Sequence, residues 1–274
     1  MTEALTFTPE ISGVKRAAIM NQLEAIQAEE NVRILFAIES GSRAWGFPSP
    51  DSDYDVRFVY VHDEDWYLSI QPGRDVIEKP LVDDWDVNGW DLKKAIGLLL
   101  KPNPVLLEWM CSPVQYIWNE SAVSKLQAFA ARHVSPRTCT GHYYHLGKGM
   151  WDRNIFAHDQ IKLKKYFYVL RPALALRWVR MRPERLPPMN FQKLAQGTEL
   201  SAEVLENIAD LMRKKSVSSE AKLGGRIPVL DELIEDEFER AERAGFSKLV
   251  LTDEIRAEAD TLFRQLVREG GFHD

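Results

Sequence analysis

Cysteine is scarce: Cys111 and Cys139 are the two thiols in a chain of 274 residues. Two thiols without metal-type spacing exclude a disulfide framework and read as ordinary thiols of a reducing compartment. Long apolar runs are missing as well, since no stretch approaches the roughly 18–20 residues that span a membrane. The opening MTEALTFTPEISG carries acids and no apolar core, unlike a secretory signal. Nor is basic charge in excess. The balance of 35 Lys and Arg against 41 Asp and Glu gives a net charge of −6, which excludes the global positive field of a non-specific nucleic-acid binder but not a local basic patch. Internal repeats and low-complexity segments are absent. Together these features predict a cytoplasmic protein that makes no membrane contact.

A hydrophobic content of 45% and a charged content of 28% suit a folded chain, and the length allows one large domain or two ordinary ones. Apolar spacing of four and three at Ile19, Leu23 and Ile26 predicts a helix from Ser12 to Glu29. VRILFAI (Val32–Ile38) predicts a buried strand, GSRAWGFPSPDS a loop with one helical turn, YDVRFVYV a second strand and DDWDVNGW a third. Asp91 is a suitable N-cap for LKKAIGLLLK, a helix that stops before Pro102. PVLLEWM reads as a short helix and VQYI as a short strand. After about Asn119 strand-like runs give way to helical stretches: ESAVSKLQAFAARH, HYYHLGKGMW, DQIKLKKYFYVLRPALALRWVR, SAEVLENIADLMRKK, IPVLDELIEDEFERAE and DEIRAEADTLFRQLVRE. The expected fold class is therefore α+β, with a mixed-sheet domain over residues 1–118 and an all-helical domain over 119–274. KKSVSSEAKLGG (Lys214–Gly225) reads as a mobile loop.

The chemistry-bearing residues concentrate between Gly41 and Asp86. Asp53 and Asp55 stand two apart at the start of an apolar strand, so they share a face, with carboxylates about 6–7 Å apart or less. Like charges so placed repel unless something positive lies between them. Two acids at a loop–strand junction can also simply face water, one capping the turn. A third acid, Asp86 in DWDVNG, shifts the balance. Three carboxylates converging from neighbouring strands call for a divalent cation, and hard oxygen donors suit Mg²⁺. Asp84 and Asp91 compete for the third place, but Asp86 is flanked by Trp85 and Val87, and Asp91 has an alternative use as a helix cap. Gly41 permits a close backbone approach. Ser42 offers a hydroxyl and an N–H, and Arg43 adds a cation near a phosphate-sized site.

This constellation resembles the minimal nucleotidyltransferases of the DNA polymerase β superfamily, whose pattern is hG[GS], a loop of about ten residues, Dh[DE]h and a later h[DE]h. The elements stand here as ESGSRAWG, DYDVRF and WDV. More narrowly, GSRAWGFPSPDSDYDVRFVY, DVNGWDLKKAIGLLLKPNPVLLEWMCSPVQY and KKYFYVLRPALALRW resemble predicted bacterial nucleotidyltransferases associated with RNA ligase and RNA repair, over roughly Ile34 to beyond Phe191. One departure is that Glu39 and Ser40 stand before Gly41 where the superfamily usually has an apolar residue.

The resemblance implies a two-metal mechanism, with Asp53, Asp55 and Asp86 holding two Mg²⁺ ions (Mn²⁺ as a substitute) and Gly41, Ser42 and Arg43 at the nucleotide. An acceptor hydroxyl then attacks the α-phosphorus of an NTP, by family weight ATP, and pyrophosphate leaves. RNA and tRNA are among the implied acceptors and an RNA ligase is an implied partner. Lys165 and Arg171 in KKYFYVLRP are expected to bind the nucleotide or the acceptor backbone, with the helical half completing the cleft. Read from residue type alone, they are also snorkelling cations on a core helix. His142, His145 and His158 read as ordinary helix positions, and Arg213, Lys214 and Lys215 as a solvated basic face. A different class of function is a nucleotidyltransferase-fold binding module, an antitoxin or RNA-repair partner acting by association. A third is a nucleotide sensor without turnover.

Overall fold

A continuous apolar run bounded by polar residues forms a strand covered on both faces, and Arg33–Glu39 (β1) is such a strand, buried at every position after the first. The computed structural model describes residues 7–71, 73–80, 84–217 and 223–270. In chain order the elements are α1 (Gly13–Glu30), β1, α2 (Gly41–Trp45), β2 (Tyr54–Val61), α3 (Glu64–Leu68), β3 (Val76–Glu78) and β4 (Trp85–Asp91). Then come α4 (Leu92–Leu99), α5 (Pro104–Trp109), β5 (Gln115–Trp118), α6 (Glu120–His133) and α7 (Thr140–Trp151). The remainder are β6 (Ile161–Lys162), α8 (Lys164–Met181), α9 (Phe191–Gln196), α10 (Ala202–Ser216), β7 (Leu223–Gly224), α11 (Pro228–Ala244) and α12 (Asp253–Gly270).

The chain forms two compact units. One, the sheet unit, takes Pro9–Gly41, Asp53–Val134 and the chain from Leu249 onward. The other, the helical unit, takes Ser42–Ser52 and Ser135–Lys248, with Phe7 and Thr8.

The sheet unit is built on a five-stranded sheet in the order β3-β4-β2-β1-β5. β2 and β4 pair in parallel and the other neighbours antiparallel, so the sheet is mixed. Helix α1 begins where the Ser12 side chain accepts the Lys15 N–H and ends at Asn31 in the left-handed conformation. Its Ile19, Leu23 and Ile26 pack into one core with Ile34, Val56, Phe58, Tyr60, Val87 and Tyr116 of the sheet. Each such side chain contributes about 1.5–3 kcal/mol on burial. Asp91, Asn103 and Asn119 cap α4, α5 and α6 through their side chains, each satisfying an N–H left open at a helix start. Helices α6 and α12 are joined by His133 and Glu258 at 2.6 Å, and by ion pairs from Lys125 to Glu269 and Arg132 to Glu258.

In the helical unit, α8 is buried from Tyr166 through Leu176 at all positions but Tyr168. A carboxylate in such an interior requires paired cations: Glu237, 1% exposed, accepts from Arg177 at 2.8 Å and Arg180 at 2.7 Å. The loop after α2 is held within this unit. Phe47 stacks on Phe167 at 4.3 Å, and its carbonyl accepts from the buried Lys215 Nζ at 2.7 Å.

Three expectations are corrected. The second half is not purely helical, because Ile161 and Lys162 pair with Gly224 and Leu223; that ladder also delays the start of α8 to Lys164. The expected loop begins later than Lys214, which still belongs to α10, while residues 218–222 lie outside the described residues. Lys215 is no solvated cation, since it is buried against Phe47. Among the described residues, no helix is long and apolar enough to cross a membrane.

Candidate active site

Register decides which acids meet. In the parallel pair β2/β4, Asp55 stands opposite Asp86, so the two side chains leave the same face of the sheet. Arg57, two residues beyond Asp55 and therefore on that face too, lies between them. Its Nη2 donates to Asp55 Oδ1 at 3.0 Å and to Asp86 Oδ2 at 2.6 Å. Its Nη1 donates to the Asp86 carbonyl at 2.7 Å and the Val56 carbonyl at 3.1 Å. The guanidinium side chain is 17% exposed, against 25% for Asp55 and 46% for Asp86. Asp53 is exposed one residue before β2 begins. Among the described residues, no three acid, histidine or cysteine side chains are gathered as a metal site; the structure joins two of the three expected acids through a cation of its own.

Gly41 makes room for one of them. Its φ is +54°, and a Cβ there would stand 1.7 Å from Asp55 Oδ2. The turn is tied down by the Ser40 N–H donating to the Asp55 carbonyl at 2.8 Å. Beneath it lies Glu39, fully buried. Its Oε1 accepts the Asp55 N–H at 3.0 Å, and its Oε2 accepts the Tyr116 hydroxyl at 2.6 Å. Burial, reinforced by the Glu39 charge, pushes the Tyr116 hydroxyl far above its ordinary range, so Tyr116 remains a donor. Glu39 thus holds the backbone from which the Asp55 side chain projects.

The two competing acids are engaged elsewhere. Asp84 is held by Lys15 Nζ at 2.8 and 2.9 Å. Asp91 stands opposite Tyr60 at the far end of β4. It accepts the Lys93 N–H and the Tyr67 hydroxyl, each at 2.7 Å, and burial raises its carboxyl above the usual range.

The remaining candidates lie in the helical unit. Ser42 is buried in α2, and its carbonyl accepts from the N–H groups of Gly46 and Phe47. Arg43 donates to the Ser52 carbonyl at 2.7 Å, bracing the ends of the connecting loop. Arg171, 8% exposed, sets its guanidinium 4.6 Å from the ring of Trp45, and Lys165 lies over Tyr168 at 5.7 Å. Trp45 and Tyr168 meet edge-on at 5.7 Å. One aromatic pair therefore links both expected cations of α8 to the helix that follows the Gly-Ser turn. His145 packs against Phe246 at a ring distance of 5.5 Å, and His142 lies edge-on to Tyr143.

Sequence reasoning passed over Arg57 and Glu39. The face rule that pairs Asp53 with Asp55 also places Arg57 beside them, and the like-charge argument asks for such a cation. Glu39 stood out only as an acid where an apolar residue is usual.

The α+β fold thus carries opposed acids on adjacent strands of a mixed sheet, with a glycine turn fitted against one of them. The chain belongs to the RNA repair pathway DNA polymerase beta family, RlaP, whose model matches residues 15–265. It is 37% identical over 254 residues to YcgL of Bacillus subtilis strain 168, described as an uncharacterized protein, with 92% of this chain and 96% of that one covered. A nucleotidyltransferase-like protein from Exiguobacterium sibiricum 255-15 aligns over 92% of both chains at 12% identity, with a TM-score of 0.28.

Proposed function

We propose that this protein transfers a nucleoside monophosphate, AMP from ATP, to an acceptor hydroxyl with release of pyrophosphate. The observation that carries the reading is the opposition of Asp55 and Asp86 across β2 and β4, with Gly41 giving up its side-chain space to Asp55. The family description, RNA repair, favours an RNA or tRNA end as the acceptor and an RNA ligase as a partner.

Carboxylate oxygens that are partly open to solvent suit a hard cation, so Asp53, Asp55 and Asp86 would hold Mg²⁺, or Mn²⁺ in its place. Two such ions, when bound, supply charge neutralisation for the triphosphate and for the attacking and leaving oxygens. The chain's own contribution is positioning, the main source of catalysis in phosphoryl transfer. Glu39 and Gly41 fix where Asp55 projects. Lys165 and Arg171 supply positive charge for the triphosphate or the acceptor backbone. In the step itself the acceptor oxygen bonds to the α-phosphorus and the bond from that phosphorus to the bridging oxygen breaks. Pyrophosphate leaves, and the hydroxyl proton passes to solvent or to a carboxylate.

The test is release of labelled pyrophosphate with Mg²⁺ across RNA, tRNA, protein and small-molecule acceptors. Turnover is expected in wild type and lost in the Asp53→Ala/Asp55→Ala double variant. Equal turnover in the double variant contradicts the proposal. A stable co-purifying partner, with a cellular phenotype that survives loss of both acids, would favour the binding-module reading.

A further inference from the structure

We propose that a cavity in the helical unit is a binding site for a phosphate monoester carried on a small, partly apolar body. It lies among α7, α8 and α11, wholly within Ser135–Lys248. None of Asp53, Asp55 and Asp86 lines it, so the site is independent of the proposed function.

The cavity holds about 240 Å³, a little below the roughly 300–1,000 Å³ of drug-sized ligand sites. That limits the occupant to one small phosphorylated molecule or one chain end. The charged lining is three arginines, Arg137, Arg180 and Arg240, and one acid, Glu237, in a chain whose net charge is −6. The acid is already engaged. Glu237 Oε1 accepts from Arg177 at 2.8 Å and from Arg180 at 2.7 Å, and its Oε2 accepts from Arg180 at 3.0 Å. Donors, by contrast, are left over. Arg180 bonds Glu237 through Nη2 alone, and Arg240 bonds Asp236 through Nε alone at 2.8 Å. Each therefore keeps further N–H groups uncommitted among the described residues. Arg137 has no carboxylate partner among the described residues. A lining with N–H groups to offer and no open carboxylate selects an acceptor, and a phosphate monoester brings three oxygens to arginine forks.

Arg180 also has a structural task, as counter-ion of Glu237 and as the cation in the last turn of α8, where it offsets the helix dipole. Arg240 pairs with Asp236 along α11. Arg137 has no such task, yet its backbone is fixed. Its N–H donates to Ser135 Oγ at 3.3 Å and its carbonyl accepts the Thr140 hydroxyl at 2.7 Å. Elsewhere in the lining, Gly245 ends α11 at a φ of +71°, and Phe246 beyond it packs on Tyr144 at 4.9 Å. The rest of the wall is apolar, formed by Leu176, Val179, Ala241 and Ala244. Ala241 and Ala244 stand three apart on α11 and so share a face. Their short side chains leave the space that the carbon skeleton of a sugar or base takes up.

The test is nuclear magnetic resonance of the full chain with carbon-13 alanine methyl groups, because Ala241 and Ala244 report on this cavity itself. Adenosine monophosphate, ribose 5-phosphate and a short RNA with a 5′-phosphate are titrated in turn, with adenosine as the control. Both signals are expected to shift saturably with a phosphate monoester and not with adenosine. Arg137→Gln is expected to weaken that binding roughly tenfold or more, the scale of one lost charge-assisted hydrogen bond. Arg137→Lys, which keeps the charge without the fork, is expected to fall between. Ala241→Leu, read through Ala244, is expected to block binding by filling the space. Arg137 is exposed, so its variants keep the fold, which circular dichroism checks. Saturation by the small phosphates alone assigns a free metabolite, and saturation by the RNA assigns a nucleic-acid end; either supports the site. Equal shifts with adenosine, unchanged affinity in Arg137→Gln, or no saturable shift by about 1 mM ligand overturns it and leaves the reading of the β2 and β4 acids untouched.

Discussion

Gly41 and Asp55 compete for one space: a Cβ on the glycine would lie 1.7 Å from a carboxylate oxygen of the aspartate. The φ of +54° at Gly41 also costs an L residue about 1–2 kcal/mol. Gly41→Ala is therefore expected to do two separable things. It should lower the unfolding free energy by at least that amount in urea titration, and it should displace Asp55, abolishing Mn²⁺ binding and pyrophosphate release. An alanine variant with normal metal binding would contradict the fit between the two residues.

Asp84 and Asp86 lie two residues apart on one edge of the chain's acidic stretch but have different partners. Asp86→Asn is expected to reduce turnover on the order of a hundredfold or more, the usual scale for losing one electrostatic stabiliser of a transferring group. Asp84→Asn weakens a part-exposed pair with Lys15; it should leave turnover unchanged and cost less than about 1 kcal/mol of stability. Steady-state rates for the two variants side by side decide the assignment, and the reverse ranking would move the third acid to Asp84.

Glu39 accepts two hydrogen bonds from groups that have little other recourse in the sheet interior. Glu39→Ala is expected to cost roughly 2–6 kcal/mol, about 1–3 kcal/mol for each of the two donors left without its acceptor. Glu39→Gln should cost much less, because its amide oxygen can still accept the Asp55 N–H while its amide nitrogen can donate to the Tyr116 hydroxyl. Denaturation midpoints that fall equally in both would contradict this role.

His62 stacks on Trp66 at a ring distance of 3.8 Å, and burial pulls its pKa below the ordinary 6.5. The folded form therefore favours the neutral ring, while the unfolded chain takes up the proton first. Its contribution to stability is complete above 6.5 and is lost as pH falls through the lower folded value. Urea midpoints measured at about pH 7.5 and about pH 5.5 should decline in wild type, and His62→Gln should decline less. An identical slope in both would contradict the assignment.

Much of this architecture was legible because local rules agreed with one another. Ser12, Asp91 and Asn119 cap the helices that the apolar spacing predicts, β1, β2 and β5 lie where apolar or aromatic runs fall, and β4 lies where polar residues interrupt apolar ones. Elements whose cause is distant were not legible. β3 is a three-residue edge strand defined by its partner β4. β6 exists because Leu223 and Gly224 arrive beside it, and no periodicity in DQIKLKK announces that. Helix α12 closes against α6 within the sheet unit, although its amphipathic pattern matches those of α10 and α11, which belong to the other unit. At the site, Asp53, Asp55 and Asp86 could be singled out by spacing, but their partner could not be. Arg57 reads as the polar residue of an alternating strand until the parallel register with β4 sets Asp86 opposite Asp55, within reach of the guanidinium.

The account stands or falls on where a cation and a triphosphate settle. Crystals grown with Mn²⁺ and a non-hydrolysable ATP analogue, with manganese located by its anomalous scattering, test this most directly. The proposed function predicts manganese on the carboxylates of Asp53, Asp55 and Asp86, with the triphosphate bound to it. Nucleotide and manganese bound away from these acids would contradict it.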